Sequence, residues 1–452
     1  LLDFLVGKLR RPSGESLMAA LLYSSSRGGS PALTVSEAIR QGLAPDGGLY
    51  LPSRLPVVDL AAVAELKRLP DSARGALHGF FEGDRLQPVL GDIAEAALNF
   101  PVPTTQVNGA ADRLFALELF HGPTAAFKDV GARFLAESLE RLESGSNKPL
   151  TILVATSGDT GGAVAAAFHR RPWVRIVILY PKGLVSPRQE QQLTCWGENV
   201  LSLRIDGTFD DCQRLVKEAF VDAALGRQHH FSSANSINIG RLLPQMTYYV
   251  ASSLDVQRRT GATPSYIIPA GNLGNAFAAV WARALGFPIG RIILAHNANR
   301  TVPDYLHSGQ WQPRSSIATL ASAMDVGNPS NMERIRALYP TIDSLREHLS
   351  AVSVDDATIR ARIKEDFMHY GREWCPHTAT AAEVYSRLSA QEKRDHPWVV
   401  VATAHPAKFN EVVEPIIGET LDVPDSLDRL LRLPRHFVDL PPTLQALAAA
   451  LE

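Results

Sequence analysis

The chain has 452 residues, of which 45% are hydrophobic, 20% charged and 7% aromatic, the make-up of a globular protein of roughly two to three domains. Its 45 Lys and Arg against 47 Asp and Glu leave a formal charge of −2, without the basic footprint of a nucleic-acid binder. Three cysteines, Cys195, Cys212 and Cys375, are too few and too scattered for a disulfide framework or a thiolate zinc site. No apolar run reaches the roughly 18 residues of a membrane helix, so the expectation is a soluble, reduced-compartment enzyme.

In chain order, Leu1–Val6 is apolar and is followed by Lys8, Arg10 and Arg11, the reverse of a signal peptide. Residues 1–22 are expected to be an extension outside the main fold. Ser24–Ser30 reads as a turn and Thr34–Ile39 as a short amphipathic helix. Pro45–Gly48 reads as a turn before Leu49–Leu51. Leu60 to Leu90 has a helical pattern broken at Pro70 and Pro88, so 23–100 is predicted to be a helical leading segment. From Leu114 the pattern alternates: an apolar run at Leu114–Leu119, a helix over Ala126–Leu142, and a strand at Thr151–Ala155. A helix from Gly161 and a strand at Arg175–Tyr180 follow. Val200–Ile205 is the next strand and Phe209–Ala224 the next helix. Beyond them lie a strand at Ile267–Ile268, a helix over Gly274–Leu285, a strand at Arg291–Ala295, a helix near Ala379–Leu388 and a strand at Trp398–Ala402. Continuously apolar strands separated by helices imply parallel sheets covered on both faces. The fold class is α/β, with 131–239 expected as a small α/β domain and 101–130 plus 240–452 as a large one.

Three segments follow strand candidates and open helices or turns: Thr156–Gly162, Gly271–Asn275 and Thr403–Pro406. Backbone N–H groups at a helix start attract anions, and glycine allows close approach. Neither glycine segment is G-x-G-x-x-G or a phosphate loop ending in Gly-Lys-Ser/Thr. A phosphorylated cofactor in a domain crevice is therefore preferred over a dinucleotide or nucleoside triphosphate. Lys128 falls in the first turn of a helix among Ala125, Ala126, Phe127 and Val130, surroundings that disfavour an ammonium and suit a nucleophile or imine former. The alternative is a surface lysine paired with Asp129.

Glu118–Thr124 with Phe127–Lys128–Asp129 resembles the active-site signature of the threonine synthase family. The likeness runs on, in order, through Ser157–Gly161, Ser186 with Gln189–Gln192, Gly207–Gln213, Asn235–Asn238 with Arg241, and Gly271–Asn275. It continues through Ala323–Val326, Pro329–Asn331 and Thr403–Phe409. Departures fall at Ala125, Ala270 and Leu273. At Asp159 the wider fold usually has Asn, and no firm role is assigned to it. The resemblance implies a fold type II enzyme dependent on pyridoxal 5'-phosphate, with two parallel-sheet domains flanking the active site. Lys128 would hold the cofactor covalently and act as the catalytic base. Gly271, Asn272, Leu273, Gly274 and Asn275 would cradle its phosphate, and Thr403 would face the pyridine nitrogen. Thr156, Ser157, Asp159 and Thr160 would lie beside the substrate. Asn238 and Arg241, helped by Lys182 and Arg188, would take the substrate phosphate.

The implied reaction turns O-phospho-L-homoserine and water into L-threonine and phosphate. Its rivals are a phosphohomoserine or phosphothreonine lyase ending at 2-oxobutyrate, and an inactive homologue. The implied partner is a small phosphorylated amino acid, with no nucleic acid or membrane, in a cytoplasmic monomer or homodimer. No metal is expected: Cys375, His377 and His369 lack a fourth ligand at a recognisable spacing. Asn299–Arg300–Thr301 is formally a glycosylation acceptor, but nothing indicates secretion. His121 and His405 are expected near the site.

Overall fold

The computed structural model describes residues 20–107, 113–145 and 149–452. The extension expected at 1–22 lies outside them except for its last three residues. There Leu21 is already buried and donates its N–H to the Glu82 carbonyl at 2.9 Å.

The leading segment is mainly helical and also holds a two-stranded sheet. Tyr23–Ser25 (β1) pairs antiparallel with Tyr50–Pro52 (β2); three residues are too few to show the period-2 pattern of a strand. Helix Val35–Gln41 opens with a reciprocal cap between Thr34 and Glu37. Pro70 sits in the first turn of helix Leu69–Leu77, where its missing N–H costs no hydrogen bond, so it starts a helix instead of breaking one.

The remaining strands are Thr104–Gln106 (β3), Leu114–Glu118 (β4), Leu150–Ala155 (β5), Val174–Pro181 (β6), Val200–Ile205 (β7), His230–Ser233 (β8), Ser265–Pro269 (β9), Ile292–His296 (β10), Leu349–Ser353 (β11), Trp398–Ala402 (β12) and Val438–Leu440 (β13). They form two sheets. One has six strands in the order β11-β10-β9-β12-β4-β3, parallel except for the β3–β4 pair. The other has five, all parallel, in the order β13-β7-β6-β5-β8. β5, β9, β10 and β12 are buried at every position, as strands must be when helices cover both faces.

The assignment of all of 240–452 to the large sheet needs correction at its end. β13 adds to β7 of the five-stranded sheet, and helix Leu444–Leu451 sets Leu447 and Leu451 into that sheet's core beside Leu203, Cys212 and Leu215. Val-Asp-Leu is too short and too exposed to announce itself, and its pairing is long-range. The helix expected over Phe209–Ala224 stops at Val221, because Asp222 caps a second helix, Ala223–Gln228, by accepting from the Ala224 and Leu225 N–H groups.

If the C-terminal helix holds the five-stranded sheet, Leu447→Ala lowers stability by about 2–4 kcal/mol. The check is the thermal unfolding midpoint; an unchanged midpoint would show that the helix contributes nothing to that core.

Candidate active site

β9, β12 and β4 lie side by side and end at Pro269, Ala402 and Glu118, while β5 of the other sheet ends at Ala155. Ligands of open α/β sheets bind beyond such carboxyl ends. The segments that follow bring Lys128, Thr156, Ser157, Asp159, Thr160, Arg241, Gly271, Asn272, Leu273, Gly274, Asn275, His377 and Thr403 around one cavity.

Lys128 is the first residue of helix Lys128–Glu143. Its Nζ lies 4.8 Å from the centre of the Phe127 ring and makes no hydrogen bond or ion pair among the described residues. The pairing with Asp129 that would have made it a structural lysine does not occur. Asp129 instead accepts from the Thr124 hydroxyl at 2.7 Å and the Thr124 N–H at 2.9 Å. Burial pushes the Lys128 amine down to about 8; Asp159 opposes that fall, while Lys408 and Arg241 add to it. Ala125, which leads into this turn, has φ +55° and is fully buried.

The 271–275 turn approaches the Ala323–Met324 backbone so closely that a Cβ on Gly271 would sit 2.9 Å from the Met324 Cα. Gly274 has more room, its nearest neighbour being Ser236 Cβ at 3.4 Å. The left-handed backbone of the turn falls on Leu273, with φ +64°. Leu273 is also the N-cap of helix Gly274–Ala284 and gives that helix no side-chain cap. The turn is held from outside. Asn331 Nδ2 donates to the Asn272 carbonyl at 2.9 Å, and the Ser330 N–H donates to Asn272 Oδ1 at 2.5 Å. Asn272 Nδ2 in turn donates to Ser236 Oγ at 2.6 Å.

Arg241 is 2% exposed, and its guanidinium donates through Nη1 to the Ala234 carbonyl. Its Nε has no partner, and among the described residues no carboxylate is paired with it. Burial lowers it to about 10, against the pull of Asp129, so it stays charged at neutral pH. Asn275 Oδ1 accepts from the hydroxyls of Tyr248 and Tyr249 at 2.5 and 2.8 Å, which leaves its buried Nδ2 unpartnered.

Three residues expected at the substrate phosphate lie away from the cavity. Asn238 is fully buried and spent as an N-cap: its Nδ2 donates to the Ile39 and Ser233 carbonyls, both at 2.9 Å, and its Oδ1 accepts from the Gly240 N–H at 2.8 Å. Lys182 is exposed. Arg188 donates to the Ala407 carbonyl at 2.5 Å. Thr156 lines the cavity, but its hydroxyl oxygen accepts from the Gly158 and Gly161 N–H groups at 3.0 and 2.9 Å and so builds the turn. Asn299 is 5% exposed, with its Nδ2 on the Asn297 Oδ1 and the Ile317 carbonyl, which leaves no free amide for a glycan.

Two participants were not expected at this site from the sequence, where His377 was weighed only as a metal ligand. Lys408 is completely buried and pairs with Asp159 Oδ1 at 2.7 Å. His377 accepts the Ala323 N–H on Nε2 at 3.0 Å, leaving Nδ1 without a partner; burial lowers it to about 4, so the ring is neutral. Its sequence neighbours point elsewhere: Cys375 Sγ caps a helix, and His369 bonds the Glu365 carbonyl. Among the described residues no group of three or more His, Cys, Asp or Glu could hold a metal.

The expected cofactor can be tested against this lining. Pyridoxal 5'-phosphate needs a free amine for its aldehyde, donors for its phosphate and a polar group at its ring nitrogen. Lys128 offers the amine. The uncapped helix start at Gly274–Asn275 and the orphaned Nδ2 of Asn275 offer donors. Thr403, 5% exposed, offers a hydroxyl with no partner among the described residues. The residues fit the group.

Comparison with known proteins agrees with that fit. The profile described as pyridoxal-phosphate dependent enzyme matches residues 99–404, flanked by threonine synthase N terminus over 22–97 and threonine synthase, C-terminal, over 378–451. Threonine synthase of Escherichia coli (strain K12) is 42% identical over 417 residues, covering 92% of this chain and 95% of that protein. The crystal structure of threonine synthase from Escherichia coli superposes with a TM-score of 0.88 at 38% identity, covering 95% of this chain and 99% of the other. The PLP-bound threonine synthase from Brucella melitensis gives 0.87 at 33% identity, covering 96% and 99%. An amine with no partner, a helix start with no cap and this collinear match along nearly the whole chain place it in one group: the chain belongs to the threonine synthase family of pyridoxal-phosphate-dependent enzymes.

Proposed function

We propose that the chain converts O-phospho-L-homoserine and water into L-threonine and phosphate with pyridoxal 5'-phosphate as its resident cofactor. The observation that carries this reading is the surplus of unpartnered donors around Lys128: the amine itself, Arg241 and the uncapped turn at 274–275.

When bound, the cofactor supplies an electron sink that makes the Cα and Cβ hydrogens of an attached amino acid acidic. The chain supplies the rest. Lys128, its amine brought toward neutrality by burial, holds and returns the proton at Cα. Arg241 puts a fixed positive charge where negative charge gathers as phosphate leaves Cγ. Ser157 and Thr160 offer hydroxyls at the rim of the turn that faces the substrate carboxylate, and Thr403 orients the ring. Asn238, Lys182 and Arg188 do not line the cavity, and this reading gives them no part in phosphate recognition.

The same reading puts the protein in the cytoplasm as a monomer or homodimer without nucleic-acid partners. It is supported by three free, buried cysteines and a charge of −2. No helix of the described residues is long and apolar enough to cross a membrane.

The deciding experiment pairs phosphate release with chiral amino-acid analysis. L-Threonine is the expected product, and 2-oxobutyrate in its place would make the enzyme a lyase. Arg241→Leu is expected to keep the cofactor's visible band but to lower kcat/KM for O-phosphohomoserine by about a hundredfold or more. Arg241→Lys should recover only part, since a point charge replaces a fork. In the 271–275 turn, Gly271→Ala is expected to weaken cofactor affinity far more than Gly274→Ala, because only the first Cβ meets backbone. Equal affinities in a binding titration would count against the cradle. Uptake of cofactor by the stripped chain requires the neutral amine, so its rate should climb with pH and level off above about 8. A plateau reached only near the ordinary lysine value of 10.5 would mean that burial does not tune Lys128.

A further inference from the structure

Tyr248 and Tyr249 stand next to each other in the first turn of helix Met246–Thr260, and both hydroxyls reach the same atom. Tyr248 donates to Asn275 Oδ1 at 2.5 Å and Tyr249 at 2.8 Å. Consecutive side chains on a helix point about 100° apart, so two of them meet on one oxygen only where it sits between them. Gln245 Oε1 is farther from the Tyr248 hydroxyl, at 3.3 Å, so that proton goes to Asn275. Packing holds the rings in place. Both are fully buried, with their centres 4.8 Å apart, and Tyr249 meets Tyr266 edge-on at 5.4 Å. Burial raises both phenols well above their ordinary value, so each keeps the proton it donates.

Asn275 lies in the first turn of helix Gly274–Ala284 and, unlike the two tyrosines, lines the cavity that holds Lys128 and Arg241. Two donors on its oxygen fix which way the amide is turned. Its Nδ2 is buried without a partner among the described residues. A residue kept only to satisfy two buried phenols needs an acceptor and nothing more, and a buried NH2 left without an acceptor is destabilising. Arg241, on the same cavity, likewise has an unpartnered Nε. Donors without acceptors match a phosphate group, whose charged oxygens only accept.

We propose that Tyr248 and Tyr249 are positioning residues: together they lock the Asn275 side chain with its NH2 toward the cavity, where it donates to a phosphate group. The cofactor and the substrate carry the same acceptor chemistry, and the two arms of the test tell them apart. The inference rests on the reading that this cavity takes phosphorylated ligands.

Two titrations test it in N275A, N275D, Y248F, Y249F and the double variant Y248F/Y249F. In the first, the full chain stripped of cofactor takes up pyridoxal 5'-phosphate or pyridoxal, followed by the visible band. These ligands differ only in the phosphate, so the ratio of their affinities reports the cofactor's phosphate. In the second, calorimetry measures the binding of inorganic phosphate to the holoenzyme, which reports the place of the substrate's phosphate. N275A should lower one of these two quantities about tenfold or more. N275D should lower it further, because a carboxylate repels the anion. Each single Tyr→Phe variant keeps one donor and should lose a few-fold in the same quantity, and the double variant about as much as N275A. General damage to the buried cluster would weaken pyridoxal and its phosphate together and leave the ratio unmoved. If the double variant does not fold, the single ones carry the test. A loss in either titration that N275A and the tyrosine variants share supports the proposal and names the phosphate. N275A at or above wild-type affinity in both titrations overturns it, since Oδ1 would then be the atom facing the cavity. A loss in N275A that no tyrosine variant shares overturns it as well. A wild-type chain that neither prefers the phosphorylated aldehyde nor binds phosphate would overturn the reading of the cavity, and this inference with it.

Discussion

Three cations, Lys128, Lys408 and Arg241, are held in and behind the wall of one cavity with two carboxylates, Asp129 and Asp159. Desolvation makes every unbalanced charge there expensive, so the positions of the five groups constrain one another. Burial alone would raise Asp159, yet the charges of Lys408 and Lys128 outweigh it and hold that carboxyl well below the usual range. Asp129 is turned to the Thr124 hydroxyl and N–H and is raised by its burial. Arg241 feels the charge of Asp129 but forms no ion pair among the described residues. The folded chain therefore carries a surplus of positive charge where it binds its ligands, and phosphate groups supply the missing negative charge on arrival. Keeping an arginine unneutralised costs stability, and ligand binding returns it.

The segments that were legible in the sequence are those whose meaning is local. Leu150–Ala155 is apolar but for Thr151, the pattern of an inner parallel strand. Gly271–Asn275 after an apolar run can only be a turn opening a helix, and Lys128 at the start of its helix among alanines stands out without knowledge of its neighbours. What was hidden depends on a distant partner. Lys408 reads as an ordinary lysine until Asp159 is brought beside it from the other sheet. Thr104–Gln106 and Val438–Leu440 are short and leave few positions fully buried, so their patterns do not differ from loops. Asn238 misled for the opposite reason. Its place beside Arg241 suggested a shared ligand, but an asparagine before a four-residue helix is accounted for by capping alone.

The contact of Asp159 with Lys408 between the sheets gives a reason for a run of glutamines that no catalytic argument explains. Gln189 and Gln192 are buried and have neutral amides, which bridge to Asp159 and the Thr124 carbonyl without adding to a crowded charge balance. A glutamate at 189 would oppose Asp159, and a lysine at 192 would add to the positive surplus. The neutral donors connect the halves while leaving the electrostatics to the lysines.

The return of the chain to β7 through Val438–Leu440 bears on how the protein is made. β5 to β8 leave the ribosome long before β13, so during synthesis β7 presents an open row of backbone donors and acceptors on a sheet that is otherwise complete. That edge stays open while strands β9 to β12 of the six-stranded sheet are translated. The nascent chain is thus exposed to edge-to-edge association until the last strand emerges and closes the edge.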